Sequence, residues 1–157
     1  MSVVVGIDPG RGGAIAWVSA RRVQAVRLPY SKDGRPDCAA LAKLIGTTKP
    51  IVVIERQFHV PHRRGEEAKL VGYGTLYGAL KMLASAVHEV TWEEWQDSMA
   101  PGAPKSDKTD RLRRKRFLVA CAKRRFPELD FDEHSGIADA LLIAEYWRIF
   151  ILNGATQ

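Results

Sequence analysis

The chain has 157 residues, with 24 Lys and Arg against 18 Asp and Glu, so its net charge is +6 and its pI is near 9.5. This length suits one compact domain over residues 1–157, and a 46% hydrophobic content argues against disorder. The basic excess is compatible with a polyanionic partner but carries no information about the fold. Two distant cysteines exclude a disulfide scaffold. Because no signal peptide and no run of about 20 apolar residues is present, a cytoplasmic protein without a membrane span is expected.

Short β-rich runs and longer helical patterns alternate along the chain. Strands are predicted over residues 3–7, 14–18, 23–28, 51–54 and 87–91. Helices are predicted over residues 37–46, 66–86, 107–125 and 135–152, and residues 98–107 are predicted to form a loop. The run 51–54 is apolar on both faces, which is typical of a central parallel strand. The order βββαβαβαα therefore predicts an α/β fold, a mixed five-stranded sheet covered by helices.

Three carboxylates stand beside apolar core segments. Asp8 ends the first strand in Gly-Ile-Asp-Pro-Gly, Glu55 ends the fourth, and Asp139 lies in an otherwise apolar helix start. If the two strands are parallel neighbours, Asp8 and Glu55 emerge side by side. Taken singly, Asp8 is interpreted as a turn residue and Glu55 as a loop residue. Asp139 is interpreted as an acid that the dipole favours at the start of a helix. Together they indicate a site for divalent cations, which prefer carboxylate oxygens.

At these residues the chain resembles the RuvC-like Holliday-junction resolvases of the RNase H-like superfamily, most closely the bacteriophage type. The resemblance covers about residues 3–150. It implies an RNase H-like fold and two Mg²⁺ ions, with Mn²⁺ as the alternative, held by Asp8, Glu55 and Asp139. The fourth ligand usual in that family falls at Gly136 here, so His134, Asp132 and Glu133 stay open for that role, with His134 the nearest.

Contacts to DNA are expected from one aromatic residue and several cations. Phe58 matches the aromatic residue that these resolvases place against bases, and its polar neighbours favour a loop position over the core. By the same resemblance Lys108, and less closely Lys105, lie near the scissile phosphate. Positive charge elsewhere is concentrated in two runs, with phosphate contacts predicted for Arg63, Arg64, Arg111, Arg114 and Lys115.

Other side chains of these regions are assigned to packing. Leu112, Val119 and Ala122 are expected on the inner face of the basic helix. Trp92 and Trp95 are interpreted as packing residues at a helix entry.

The resemblance implies a structure-selective endodeoxyribonuclease that resolves four-way junctions by paired symmetric cuts. Two such cuts imply a homodimer, with the glycine-bearing helix 66–86 at its interface. Nucleases acting on flaps, forks or RNA–DNA hybrids, and a non-catalytic branched-DNA-binding relative, remain alternatives. Actin-like sugar kinases share a glycine-flanked Asp after the first strand, but 157 residues leave no room for their second domain.

Overall fold

A computed structural model describes residues 3–10, 12–62, 64–104, 110–132 and 136–152. The five strands are β1 (Val4–Asp8), β2 (Ala14–Val18), β3 (Val23–Arg27), β4 (Ile51–Glu55) and β5 (Ala86–Val90). The helices are α1 (Cys38–Ile45), α2 (Glu66–Leu83), α3 (Trp92–Met99), α4 (Asp110–Arg125) and α5 (Ile137–Tyr146), and a π-helical segment, Trp147–Leu152, follows α5. None of the helices within these ranges is long and apolar enough to cross a membrane.

The strands form one mixed sheet in the order β3-β2-β1-β4-β5. Tight connections pair β1 with β2 and β2 with β3 in antiparallel fashion, whereas β1–β4 and β4–β5 are parallel. Both central strands are almost entirely buried, as their unbroken apolar sequences require. The predicted α/β class, the five-stranded sheet and the central parallel position of β4 are confirmed.

Each face of the sheet is covered by its own hydrophobic cluster. On one face, side chains of β1 and β4 pack with α1 and α2 through Leu41, Leu76 and Leu80. On the other face, α3, α4 and α5 cover the sheet, with Trp95, Leu118 and Leu141 in the shared core. The sheet thus lies between two helical layers.

Helix α1 begins and ends where the sequence predicts. The Asp37 carboxylate accepts a hydrogen bond from the Ala40 amide at 2.9 Å, and Gly46 takes a positive φ of 64° at the other end.

Helix α3 is the main departure from the predicted order, which passed from the fifth strand to a loop. A capping box starts this helix: Thr91 accepts from the Glu94 amide, and the Glu94 carboxylate accepts from the Thr91 amide. The first part of the predicted loop, Ser98 and Met99, consequently belongs to the helix. Leu112 was also assigned wrongly, since it is exposed while Leu118, Val119 and Ala122 are buried.

Candidate active site

Asp8 and Glu55 lie side by side at the carboxyl edge of the sheet. Strands β1 and β4 run parallel with Ile7 paired to Ile54, so the next residue of each strand is one of the two acids. The condition stated for their proximity, that the two strands be parallel neighbours, is met. Two carboxylates are therefore held on rigid neighbouring strands rather than on loops.

Asp139 reaches the same edge because α5 packs directly on β1. A side-chain carbon added to Gly6 would lie 2.2 Å from the Ala140 carbonyl oxygen and 2.9 Å from Ala144 Cβ, so only glycine permits this approach. Asp139 occupies the first turn of α5, one residue before the contact with Gly6. The bare backbone of β1 thus places the third carboxylate close to the first.

The charge of Asp139 acts on both of the carboxylates at the ends of the strands. Burial and the negative charge of Asp139 raise the pKa of Asp8 from 3.8 to about 6, against opposing effects from the Gly10 amide and Lys115. Burial and the charges of Asp8 and Asp139 raise the pKa of Glu55 from 4.5 to about 7. A cluster of this kind favours protonation or a bound cation, because each ionised carboxylate destabilises the next.

One cation of the protein already enters the cluster. The Lys115 ammonium on α4 donates to Asp139 Oδ2 at 2.8 Å, and both side chains are largely shielded, at 27% and 17% exposure. Among the described residues, no group hydrogen-bonds the second carboxylate oxygen, Asp139 Oδ1, which is buried. Lys115, predicted to contact DNA phosphate, is thus placed beside an acid of the site.

Trp95 holds Glu55 and is the site residue that the sequence reasoning missed. Its indole Nε1 donates to Glu55 Oε2 at 2.9 Å, and the ring is fully buried. The packing role expected of Trp95 is confirmed, but a buried indole N–H also requires a hydrogen-bond acceptor. The capping box of Thr91 and Glu94, which starts α3 just before Trp95, was the available signal.

The turn after β1 is fixed by its own backbone and by Tyr30. The Gly10 amide donates to Asp8 Oδ1 at 3.0 Å, and the Gly13 amide donates to the Gly10 carbonyl at 2.8 Å. The Tyr30 hydroxyl lies 3.1 Å from the Pro9 carbonyl oxygen and 3.0 Å from that of Gly10. These contacts restrict the position of the Asp8 carboxylate.

The backbone of Gly136 lies directly against the Asp8 carboxylate, and this approach requires a residue without a side chain. A Cβ built on Gly136 would lie 2.3 Å from Asp8 Oδ2, so the position points into the carboxylate cluster. The Gly136 amide donates to the Gly12 carbonyl at 2.6 Å and holds the start of α5 beside the β1 turn. With these neighbours in place the position has room for glycine only, so it supplies no ligand.

The donor set fits a hard divalent cation in its chemistry. Hard cations bind carboxylate oxygens, and here the charge of Asp139 acts on both Asp8 and Glu55. The buried oxygen Asp139 Oδ1 has no hydrogen-bond partner among the described residues. Within those residues, however, no three His, Cys, Asp or Glu side chains form a group ready to hold a metal ion. Trp95 and Lys115 occupy one oxygen each of Glu55 and Asp139, so the acids are held by protein donors instead.

The predicted DNA contacts that fall within the described residues differ in exposure and in their partners. Phe58, shortly after β4, is 46% exposed and lies under the Arg56 guanidinium at 5.6 Å. Arg64 and Arg111 are exposed. Arg114 stacks on Trp92 at 5.7 Å, and its charge lowers the pKa of Glu55 against the larger raising effects.

Four predicted site residues, Arg63, Lys105, Lys108 and His134, lie outside the described residues, as does Glu133. Asp132, the remaining alternative for the fourth ligand, forms an exposed ion pair with Arg27 at 2.9 Å.

Comparison with known proteins identifies the fold. No protein-family model and no curated protein matches the sequence. Among solved structures, Thermus thermophilus RuvC in complex with a Holliday junction substrate matches with a TM-score of 0.68 and 19% identity, over 98% of this chain and 97% of that one. A second Thermus thermophilus RuvC structure matches with a TM-score of 0.62 and 18% identity, over 97% and 96%. The chain therefore has the RuvC fold of the RNase H-like class, across nearly its whole length.

Proposed function

We propose that this protein is a metal-dependent endodeoxyribonuclease that resolves four-way DNA junctions by paired symmetric cuts, of the type encoded by bacteriophages. One observation carries the proposal: Asp8 and Glu55 end neighbouring parallel strands of a RuvC-fold sheet at the same edge, and the negative charge of Asp139 raises the pKa of both. The matching structure that contains a Holliday junction supports the choice of substrate.

The three carboxylates would hold Mg²⁺, with Mn²⁺ as the alternative, and two ions per site. Bound there, such ions activate water and stabilise the leaving oxygen in phosphodiester hydrolysis. The chain's own part is to present the acids on rigid elements. Trp95 fixes Glu55, the Gly10 amide fixes Asp8, and the packing of α5 on Gly6 fixes Asp139.

DNA would be held through charge and stacking. Phe58, with almost half of its surface exposed beside the site, would stack on an unpaired base, an interaction worth about 1–3 kcal/mol. Phosphate contacts are proposed for Arg63, Arg64, Lys105, Lys108, Arg111, Arg114 and Lys115. Such contacts select the shape of branched DNA rather than its sequence.

A homodimer would supply the second cut, with α2 at its interface. On this helix Val71 and Met82 are 61% and 81% exposed. A Cβ added to Gly74 or Gly78 meets nothing within 4 Å in the described chain. Exposed apolar side chains with glycines between them on one helix provide a surface on which a second copy can approach closely.

The decisive experiment compares the wild-type protein with Asp8→Asn on a labelled mobile four-way junction in Mg²⁺. Paired cuts by the wild-type protein, with junction binding but no cutting by Asp8→Asn, support the proposal. Fork, flap and RNA–DNA hybrid substrates run alongside separate the rival nucleases, since preferential cleavage of one of them would replace the junction as substrate. Binding without cleavage by every protein would identify a non-catalytic relative.

His134 is proposed to complete the metal site, because Gly136 contributes no ligand. His134→Ala should raise the Mg²⁺ concentration needed for half-maximal cleavage. Asp132→Ala, which removes the exposed carboxylate that pairs with Arg27, is the comparison variant. An unchanged Mg²⁺ requirement in His134→Ala, with an increase in Asp132→Ala, would transfer the role to Asp132.

A further inference from the structure

An ion pair between Lys115 and Asp139 connects the proposed metal site to helix α4. The Lys115 ammonium and Asp139 Oδ2 are 2.8 Å apart, and the side chain comes from the middle of α4, opposite the helix that carries Asp139. The Lys115 charge also acts on Asp8, whose pKa it lowers. One ammonium therefore serves two of the three carboxylates to which the divalent ions are assigned.

The ammonium and a divalent cation compete for the charge of one carboxylate, since Asp139 Oδ2 accepts from Lys115 while Oδ1 is buried without a partner among the described residues. Both bind carboxylate oxygens by charge, and Asp139 Oδ2 cannot accept from the ammonium and ligate a metal on the same lone pairs without losing part of each interaction. A divalent ion carries twice the charge of the ammonium, so three acids attract it more strongly. Lys115 is suited to leave, because its ammonium is compact and strongly hydrated and its stem is flexible.

We propose that Lys115 is the resident counterion of Asp139 and that divalent cations displace it from this carboxylate. The proposal rests on the assignment of Asp8, Glu55 and Asp139 as metal ligands. The Lys115 side chain is 27% exposed in the ion pair, so a displaced ammonium would have access to solvent and to a bound DNA phosphate. Metal binding would then release a cation for the substrate, so that one lysine neutralises the acids in one state and contacts phosphate in the other.

The test measures Mg²⁺ affinity without DNA, by isothermal titration calorimetry, for the wild-type protein and Lys115→Met. Loss of a competing charge-assisted hydrogen bond should tighten Mg²⁺ binding roughly tenfold in Lys115→Met. Lys115→Arg keeps a cation on the helix and should stay close to the wild-type affinity.

Lys123→Met is the matched control. It removes the same charge from the same helix, two turns after Lys115. The Lys123 ammonium lies over the Phe131 ring, 5.7 Å from its centroid. The Mg²⁺ affinity of Lys123→Met should differ from that of the wild-type protein by less than about threefold, because solvent screens an exposed charge two helical turns from Lys115.

A second measurement does not depend on the stability of a variant. The side-chain ammonium resonance of Lys115 in nitrogen-15-labelled wild-type protein should shift or exchange-broaden as Mg²⁺ is added, while that of Lys123 stays in place. A merely structural ion pair would leave the Lys115 resonance unchanged.

The outcomes separate the two proposals. Mg²⁺ binding that is equal or weaker in Lys115→Met, together with an unchanged Lys115 resonance, overturns the displacement and leaves the metal site standing. Absence of Mg²⁺ binding in the wild-type protein and in both Met variants overturns the metal site and the displacement with it. Tighter binding confined to Lys115→Met supports both.

Discussion

Asp8→Asn should make the metal-free protein more stable while it removes the proposed activity. Asn keeps the shape of Asp, and its Oδ1 can still accept the hydrogen bond from the Gly10 amide. What disappears is a buried negative charge beside Asp139. Stability and function are therefore expected to move in opposite directions at this residue, as is common for strained active sites.

The size of the effect follows from the pKa of Asp8. Its rise from 3.8 to about 6 corresponds to about 3 kcal/mol of destabilisation once the carboxylate is ionised in both the folded and the unfolded chain. Because the folded state holds the proton more tightly, wild-type stability falls as the pH rises through the interval from 3.8 to about 6. Asp8→Asn should thus exceed the wild-type free energy of unfolding by up to about 3 kcal/mol near pH 8, and by less than about 1 kcal/mol near pH 4.

Urea denaturation in EDTA, followed by circular dichroism at both pH values, measures the difference. Saturating Mg²⁺ should then make the wild-type protein the more stable of the two at the higher pH. An ion that binds only the folded state stabilises that state, and Asp8→Asn has lost one of the carboxylates proposed to bind it. A variant that is less stable than the wild-type protein in EDTA, or a difference that does not change with pH, would refute the electrostatic reasoning.

Three further substitutions probe the surroundings of the site. Trp95→Phe removes the N–H that Glu55 accepts at 2.9 Å and should lower the free energy of unfolding by about 1.5–3 kcal/mol in urea denaturation. Phe58→Ala should slow junction cleavage in a single-turnover assay by about 5- to 100-fold, the equivalent of one lost stacking contact, while the binding constant changes less. Gly136→Ala places a carbon 2.3 Å from Asp8 Oδ2 and should destabilise the fold by about 1–3 kcal/mol and reduce Mg²⁺ affinity, measured by thermal denaturation and calorimetry.

Each substitution has a matched control in the same chain. Trp92→Phe tests a half-buried tryptophan of α3 that contacts Arg114 instead of Glu55, and should lower the free energy of unfolding by less than Trp95→Phe does. Val60→Ala removes an exposed apolar side chain from the same loop as Phe58 and should not slow cleavage. Gly72→Ala meets only ordinary contact with Pro36 at 3.8 Å and should stabilise the helix by about 1 kcal/mol. Equal effects in a variant and its control would contradict the role assigned to the variant.

Local sequence signals were sufficient for the sheet and for two of the acids. Continuous apolar runs identified β1 and β4 as buried strands and placed Asp8 and Glu55 at their carboxyl ends. That the two acids emerge side by side depended on the strands being parallel neighbours, a condition that the observed pairing meets. Helix α1 was equally predictable, because its first and last residues are marked by an Asp cap and a glycine.

Contacts between distant elements were not predictable in the same way. Trp95 and Glu55 are 40 residues apart, and Lys115 and Asp139 are 24 apart, so no periodicity relates the members of either pair. Both depend on how α3, α4 and α5 pack over one face of the sheet. Lys115 was predicted to contact DNA phosphate together with its basic neighbours. A run of cations in the sequence does not indicate which of their side chains points toward the protein interior.

The sequence by itself determined which residue types stand at the ends of buried strands, and from these the class of fold and the acidic character of the site. Tertiary structure decided how the acids are held. The missing side chain of Gly6 lets α5 approach β1, and that approach brings Asp139 to Asp8. The resulting burial and mutual repulsion raise the pKa of Asp8 and Glu55, while Lys115 stands as the protein's own counterion. Burial and charge proximity are properties of packed elements, and no local stretch of sequence contains them.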